Sequence, residues 1–239
     1  MEREELELDL LLLAVYRLSG FDFRQYMRSS ISRRVHNRLR LEHLSSITQL
    51  TEKVIYDESC LRKLLNDFSI NVTEMFRDPS FFQAFREEVV PHLRRLPEIR
   101  IWHAGCSTGE EAYSMAIVMR EEGLGARTKI YATDINERVL NHAEKGIIPL
   151  NKMKSYTKNY LLSGGKKSFS EYYTADSHNA YLVSDLLEHI VFAQHNLVTD
   201  RSFNEFHVIF CRNVLIYFNL ELQQRVMKLF NESLSLNGF

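Results

Sequence analysis

Residues 99–119 read IRIWHAGCSTGEEAYSMAIVM, and the fold follows from this stretch. Ile99 to Ala104 is an apolar run of strand length, Gly105 to Gly109 a turn with a glycine at each end, and Glu110 to Arg120 a helix apolar over much of its surface. Gly123 supplies the stop that helices commonly use. A strand that turns through glycines into a helix lets backbone approach a ligand closely, because residues without a Cβ leave room for it. The competing reading is a purely structural turn, since a GxxxG spacing alone has little specificity.

Further along, Lys129 to Thr133 reads as a second strand, and Asp134 ends it, 25 residues after Gly109. That is where an acid accepting hydrogen bonds from ribose hydroxyls is expected. Taken alone, Asp134-Ile135-Asn136 would serve equally as a helix N-cap. A helix at Glu137 to Lys145, a strand at His207 to Cys211 and a helix near Leu220 to Leu236 continue the alternation. Strands alternating with helices predict an α/β fold, a doubly wound parallel sheet covered on both faces. Between Gly146 and Val198 the alternation gives way to short β-like runs at 169–174, 180–183 and 189–193, predicting a small antiparallel insertion around 147–194.

Upstream, Glu2 to about Asn66 is helical throughout, with Ile31, Val35 and Leu39 four apart and Leu61, Leu64 and Leu65 on another face. The expected organisation is a helical domain at 1–68, a junction and linking helix at 69–98, and a cofactor-binding domain at 99–239. Asp78-Pro79 reads as the N-cap and first position of the linking helix, Ser80 to Val90. The chain stops at Leu236-Asn237-Gly238-Phe239, where a further strand would follow, so the sheet's final strands are expected to be missing.

Composition narrows the class of function. With 45% hydrophobic and 26% charged residues the 239-residue chain is an ordinary globular one, and a net charge of -1 gives no global pull toward nucleic acid or membrane. Cys60, Cys106 and Cys211 form no CxxC pair, which excludes a readable zinc knuckle and fits a reducing cytoplasm. The apolar run Leu8 to Tyr16 is too short to span a bilayer and follows acidic residues, so it reads as an amphipathic or buried helix, not a membrane insertion.

The turn also indicates the kind of cofactor. A dinucleotide site sets a helix N-terminus against a pyrophosphate, but here Glu110 and Glu111 occupy the first helical turn and would repel one. A cofactor with an ammonium group and no phosphate suits it better, and S-adenosylmethionine has that makeup. Plain complementation of the helix dipole is the alternative role for either glutamate.

Four strings, NVTEMFRDPSFF, HAGCSTGEEAYS, YATDIN and FHVIFCRNVLIYF, occur in that order and spacing. Together they resemble the CheR family of chemotaxis-receptor methyltransferases over roughly residues 10–239. The resemblance implies a Rossmann-like, class I methyltransferase core behind a helical N-terminal domain that caps the cofactor. It implies S-adenosylmethionine as cofactor, S-adenosylhomocysteine as product, and pocket residues Asn71, Thr73 and Arg77 from the junction. By the resemblance Glu111 and Asp134 would bind the cofactor, joining Gly105 of the turn and Glu110, which with Glu111 is the candidate for the amino-acid end; Asn196 and Leu197 would flank the adenine, and Asn213 and Val214 would close the site. The run His103-Ala104-Gly105-Cys106 departs from the family's more usual small residues.

The reaction that the resemblance implies, methyl transfer to a glutamate side-chain carboxylate, needs no general base, because the nucleophile is ionised at neutral pH. Proximity, alignment and desolvation are what remain to be supplied. Accordingly, no Ser/His/Asp arrangement, acid/base carboxylate pair or metal spacing is readable. Arg212, able to orient a substrate carboxylate, and Tyr217, able to donate to it, are the candidate catalytic residues. Alternatively Arg212 pairs with an acid such as Asp200, and Tyr217 packs on Phe210 or Phe218.

Arg24, Arg28, Arg33, Arg34, Arg38 and Arg40 cluster with no acid between Phe23 and Leu41. With Ile31, Val35 and Leu39 as the buried stripe, Arg33, Arg34 and Arg38 are expected to project outward together and dock an acidic helical partner. A merely solvated helix face is the plainer reading. The resemblance makes the partner the cytoplasmic helical domain of a chemotaxis receptor, engaged by a monomer. Two rivals are a nucleic-acid methyltransferase, disfavoured because Arg212-Asn213-Val214-Leu215 lacks the Asn/Asp-Pro-Pro-aromatic segment, and a non-catalytic cofactor-binding adaptor.

Overall fold

The computed structural model describes residues 2–69 and 72–239. It separates into two compact units, Met1–Ile70 with Asn213–Lys228, and Asn71–Arg212 with Leu229–Phe239. The sixteen-residue return of 213–228 to the first unit was not expected from the sequence.

The first unit is helical: α1 (Glu2–Ser19), α2 (Arg28–Leu41), α3 (Ile47–Tyr56) and α4 (Glu58–Phe68). Each buries one stripe. Leu8, Leu11, Leu12 and Val15 come from α1, Ile31, Val35 and Leu39 from α2, Leu50 and Val54 from α3, Leu61 and Leu64 from α4, all in one core. Polar caps fix where α3 and α4 begin: Ser46 accepts the Gln49 amide, and Asp57 the amides of Ser59 and Cys60. The apolar opening run is thus half of a buried helix face, and among the described residues no helix is long and apolar enough to cross a membrane. The returning segment bonds to the chain before α2. Met27 N–H donates to the Tyr217 carbonyl at 2.8 Å, Asn219 N–H to the Gln25 carbonyl at 2.9 Å, and the Tyr26 and Phe218 rings meet edge-on at 4.8 Å.

In the second unit the linking helix begins with α5 (Pro79–Ala84), passes through one π turn (Phe85–Val89) and ends with α6 (Val90–Leu93). Pro79 is in its first turn as expected, but Asp78 does not cap it: its backbone is left-handed, at φ 57°, and its carboxylate is turned elsewhere. Then follow β1 (Ile99–Ala104), α7 (Glu110–Glu121), β2 (Thr128–Asp134), α8 (Glu137–Ala143), β3 (Ile147–Pro149), α9 (Met153–Leu162), β4 (Tyr173–Ala175), β5 (Asn179–Leu182), α10 (Ser184–Leu187), β6 (Ile190–Gln194), β7 (Val208–Phe210) and α11 (Leu220–Ser233). α11 starts in the first unit and finishes in the second.

The main sheet runs β6-β2-β1-β7, every pairing parallel. In chain order its strands lie third, second, first, fourth, which is half of a doubly wound sheet. β1 is buried at Ile99, Ile101, Trp102 and His103, and β2 at Ile130 and Ala132, as strands covered on both faces should be. The antiparallel insertion is β3-β5-β4. Two expectations are corrected there. The run at 189–193 is not part of it but is β6, which pairs with β2 in the register Ile130↔Ile190, because a short apolar run carries no mark of its partner's direction. Residues 169–172 form a 3-10 turn, and only Tyr173–Ala175 is strand. At the sheet's other end, Phe239 exchanges backbone hydrogen bonds with β7, accepting from Ile209 N–H at 2.9 Å and donating to the His207 carbonyl at 3.0 Å.

Candidate functional site

The turn between β1 and α7 is tied to the end of β2. The amides of Gly105 and Cys106 both donate to the Thr133 carbonyl, at 2.8 and 2.9 Å. Gly105, Ser107 and Gly109 all take positive φ. At Gly109, φ 91°, a Cβ would lie 2.7 Å from the Tyr113 ring, so glycine is required both conformationally and sterically. Tyr113 fills that space and donates its hydroxyl to the Ala143 carbonyl of α8.

Asp134 closes β2 and is 8% exposed. Its Oδ2 accepts the Ser107 amide at 2.9 Å and its Oδ1 the Asn136 amide at 3.0 Å. Burial pushes its carboxyl above the usual range in spite of those amides. Capping of α8 falls to Asn136, whose side chain accepts the Arg138 amide at 3.0 Å, so Asp134 is not used as the cap, and the amides of Ser107, Ile135 and Asn136 still leave its carboxylate room to accept from a ligand. His195 N–H donates to the Asp134 carbonyl at 3.1 Å, which brings Asn196 and Leu197 to the same strand end. Asn196 is buried, its amide on Asp200 Oδ2 at 2.8 Å and its Oδ1 accepting from Val198 at 2.9 Å.

Glu110 and Glu111 diverge by one helical step and serve different neighbours. Glu110 is buried and accepts from the Thr108 hydroxyl at 2.6 Å, and burial pushes its carboxyl up. Glu111 bridges two donors: His103 Nδ1 lies 2.9 Å from Oε1, and Arg212 Nη1 donates to Oε2 at 2.7 Å. Burial raises the Glu111 pKa, but the His103 hydrogen bond and the nearby charges outweigh it and hold the carboxyl below its usual range.

Arg212 carries further partners. Its Nη2 donates to Asp78 at 2.6 Å and to the Arg77 carbonyl at 3.2 Å, and its guanidinium lies 4.2 Å over the Phe81 ring. The acids it pairs with are therefore Glu111 and Asp78, while Asp200 turns to Asn196. Through Arg212 the junction is drawn to α7. Phe76 N–H also donates to Ser114 Oγ at 2.9 Å, and that hydroxyl donates to the Glu110 carbonyl at 2.6 Å. Thr73 and Arg77 lie half-buried in this junction, and Asn71 lies outside the described residues.

Gly105, Glu110, Glu111, Asp134, Asn196, Arg77 and Arg212 thus share the second unit, whereas Asn213, Val214 and Tyr217 belong to the first. Tyr217 follows Arg212 by five residues but ends a 3-10 turn there, with Arg34 5.9 Å over its ring. His103 was noticed in the sequence only as a departure from small residues. Its polar partner eight residues on, across a turn, was the signal available.

The arginines of α2 do not project outward together. Arg38 is 8% exposed and donates to Asp67 at 2.6 Å and Glu42 at 3.2 Å. Position 38 stands only about 60° around the helix from Val35, beside the buried stripe, while position 33 is roughly opposite it. Arg34 is half-buried and donates to the Asp67 carbonyl at 2.5 Å, and Arg33 is exposed.

The site fits an adenosine cofactor carrying an ammonium. Ser107 Oγ, His103 Nε2 and His195 Nδ1 are buried without a hydrogen-bond partner, and two carboxylates with unused lone pairs flank the glycine turn. Two family models match in succession: the CheR methyltransferase all-alpha domain at residues 6–69 and the CheR methyltransferase SAM binding domain at 71–239. A Pseudomonas putida protein described as a methyltransferase, Cher3, is 49% identical over 235 residues, 98% of this chain and 86% of that one. The chemotaxis protein methyltransferase 2 of Pseudomonas aeruginosa is 32% identical over 223 residues, 90% of this chain and 76% of that one. The Escherichia coli chemotaxis protein methyltransferase is 28% identical over 231 residues, 94% of this chain and 78% of that one. The glycine turn, its two acids and the helices that precede them therefore lie within matched methyltransferase domains, and the chain belongs to the CheR methyltransferase family.

Proposed function

We propose that this protein methylates glutamate side-chain carboxylates on the cytoplasmic helical domain of a chemotaxis receptor, converting S-adenosylmethionine to S-adenosylhomocysteine and leaving glutamyl methyl esters. The observation that carries the reading is the pair of carboxylates, half-buried Glu111 and buried Asp134, on either side of a phosphate-repelling glycine turn. The names of the relatives support a chemotaxis protein as substrate.

Bound S-adenosylmethionine supplies a methyl group on a sulfonium, displaced in line by a carboxylate oxygen as the sulfur–carbon bond breaks and an oxygen–carbon bond forms. The chain's residues hold the reactants. Asp134 accepts the ribose hydroxyls, Glu111 the ammonium of the amino-acid end, and Asn196 and Leu197 flank the adenine. Gly105, Asn71, Thr73 and Arg77 line the rest of the pocket, and Glu110 supports the turn through Thr108. No proton has to move, so the reaction requires no general base. Tyr217 donates to the substrate carboxylate, and exposed Arg33 helps dock the receptor.

The test joins binding to transfer. Calorimetry should show one S-adenosylhomocysteine site, and methyl-labelled cofactor should label a receptor cytoplasmic fragment in a base-labile form that disappears when its target glutamates are changed to alanine. Label in nucleic acid, or binding without transfer to any receptor fragment, would overturn the reading in favour of a nucleic-acid methyltransferase or an adaptor.

A further inference from the structure

His103 lies at the C-terminal end of β1, 1% exposed, with its ring stacked on Phe210 at 4.7 Å and 23°. Packing alone does not account for an imidazole here. Nε2 is buried with no partner, and an unpaired buried nitrogen is a cost that an apolar ring of similar size would avoid. What the site gains is at the other nitrogen, since Nδ1 lies 2.9 Å from Glu111 Oε1. A carboxylate only accepts, so Nδ1 carries the proton of that bond.

The geometry points to His103 as a positioning residue that, with Arg212, clamps the Glu111 carboxylate in one orientation to receive the ammonium group of the cofactor's amino-acid end. This rests on the reading of Glu111 given above. A glutamate's last torsion is broad, and one donor leaves the carboxylate free to swing about it. Two donors, one at the end of β1 and one just beyond β7, each on its own oxygen, remove that freedom and still leave each oxygen a second lone pair for a ligand. Arg212 is shared with Asp78, so it is not committed to Glu111 alone. Glu110 faces away, toward Thr108, and the Cys106 and Cys211 thiols are raised chiefly by burial, so neither is a competing anion at neutral pH. Orienting the acceptor in advance reduces what must be ordered on binding.

The position of the donor atom makes a sharp test. Asparagine places its amide nitrogen where Nδ1 lies, whereas glutamine reaches the place of Nε2. By calorimetry, His103→Ala and His103→Gln should weaken S-adenosylhomocysteine binding about tenfold, the scale of one lost hydrogen bond to a charged group, and His103→Asn should stay within about threefold of wild type. Binding of 5′-methylthioadenosine, which lacks the amino-acid end, should be unchanged in all three. Equal losses in the asparagine and glutamine variants, no loss in the alanine variant, or the same loss for both ligands would overturn the proposal. A role in stability alone would shift melting temperatures without separating the asparagine and glutamine variants or the two ligands. Failure of wild type to bind S-adenosylhomocysteine would instead reject the reading of the whole site.

Discussion

Arg212 and Glu111 are joined across 101 residues of chain, Nη1 donating to Oε2 at 2.7 Å. With Asp78 on its other nitrogen and Phe81 beneath it, the guanidinium is committed to protein partners. Arg212→Ala should therefore weaken S-adenosylhomocysteine binding as well as lower kcat/KM, by freeing Glu111. Arg212→Lys should recover only part of the loss, because an ammonium cannot reproduce the fork. Unchanged affinity by calorimetry with reduced kcat/KM would return Arg212 to the substrate-orienting role first expected of it.

For Asp134 the expected effect is double. Asp134→Ala removes the acceptor of two backbone amides, Ser107 and Asn136, so it should lower stability by about 1–3 kcal/mol and weaken cofactor binding by at least tenfold. Thermal melts and calorimetry check the two parts separately. Normal affinity in a destabilised but folded variant would assign Asp134 to the turn alone.

Charge reversal distinguishes two arginines that the sequence treated alike. Arg33→Glu should raise the KM for a receptor fragment, increasingly so at low salt, with cofactor affinity unchanged. Arg38→Glu should instead destabilise the first unit, because it leaves Asp67 and Glu42 facing a like charge in a mostly buried site. Urea denaturation and steady-state kinetics would show the split.

Glu42 gives a pH prediction. Hydrogen bonding to Lys53, with the charges of Lys53 and Lys63 and a bond from Arg38, holds its carboxyl down at about 2 from an ordinary 4.5. A group lowered in the folded state adds stability above its unfolded pKa and loses it as pH falls toward the folded value. Melting temperature should thus drop between pH 4.5 and 2 more steeply for wild type than for Glu42→Gln. Parallel curves would mean that Glu42 is not coupled to folding.

Tyr217→Phe should cost a modest factor in kcat, on the order of tenfold for one hydrogen bond, since no proton need be abstracted. Single-turnover methylation of a receptor fragment measures it. Complete loss would give the hydroxyl an essential part that positioning does not require.

The doubly wound half-sheet was legible because each of its elements keeps its own period and is punctuated by glycine or aspartate, as at Gly105, Gly109 and Asp134. β6 was not, since the run at 190–194 has an apolar character but no feature that names β2 as its parallel neighbour. Arg38 was misplaced because its acids lie outside the arginine run: Glu42 is one helical turn on, at the i,i+4 spacing, while Asp67 is delivered only by tertiary packing. Glu111 and Asp134 could be picked out by spacing, yet their hydrogen-bond partners could not, because those depend on the turn's left-handed residues.

The backbone bridge between 25–27 and 217–219 bears on how this protein can be dissected. The family boundary near residue 70 looks like a place to cut, but a fragment starting there would retain 213–228 with the amide of Asn219, the carbonyl of Tyr217 and the Phe218 ring stripped of their partners. Those groups would be left as unpaired backbone and an uncovered aromatic ring, which costs stability. A chimera that exchanges helical domains between relatives should therefore carry residues 2–69 and 213–228 together, as two inserts from one parent.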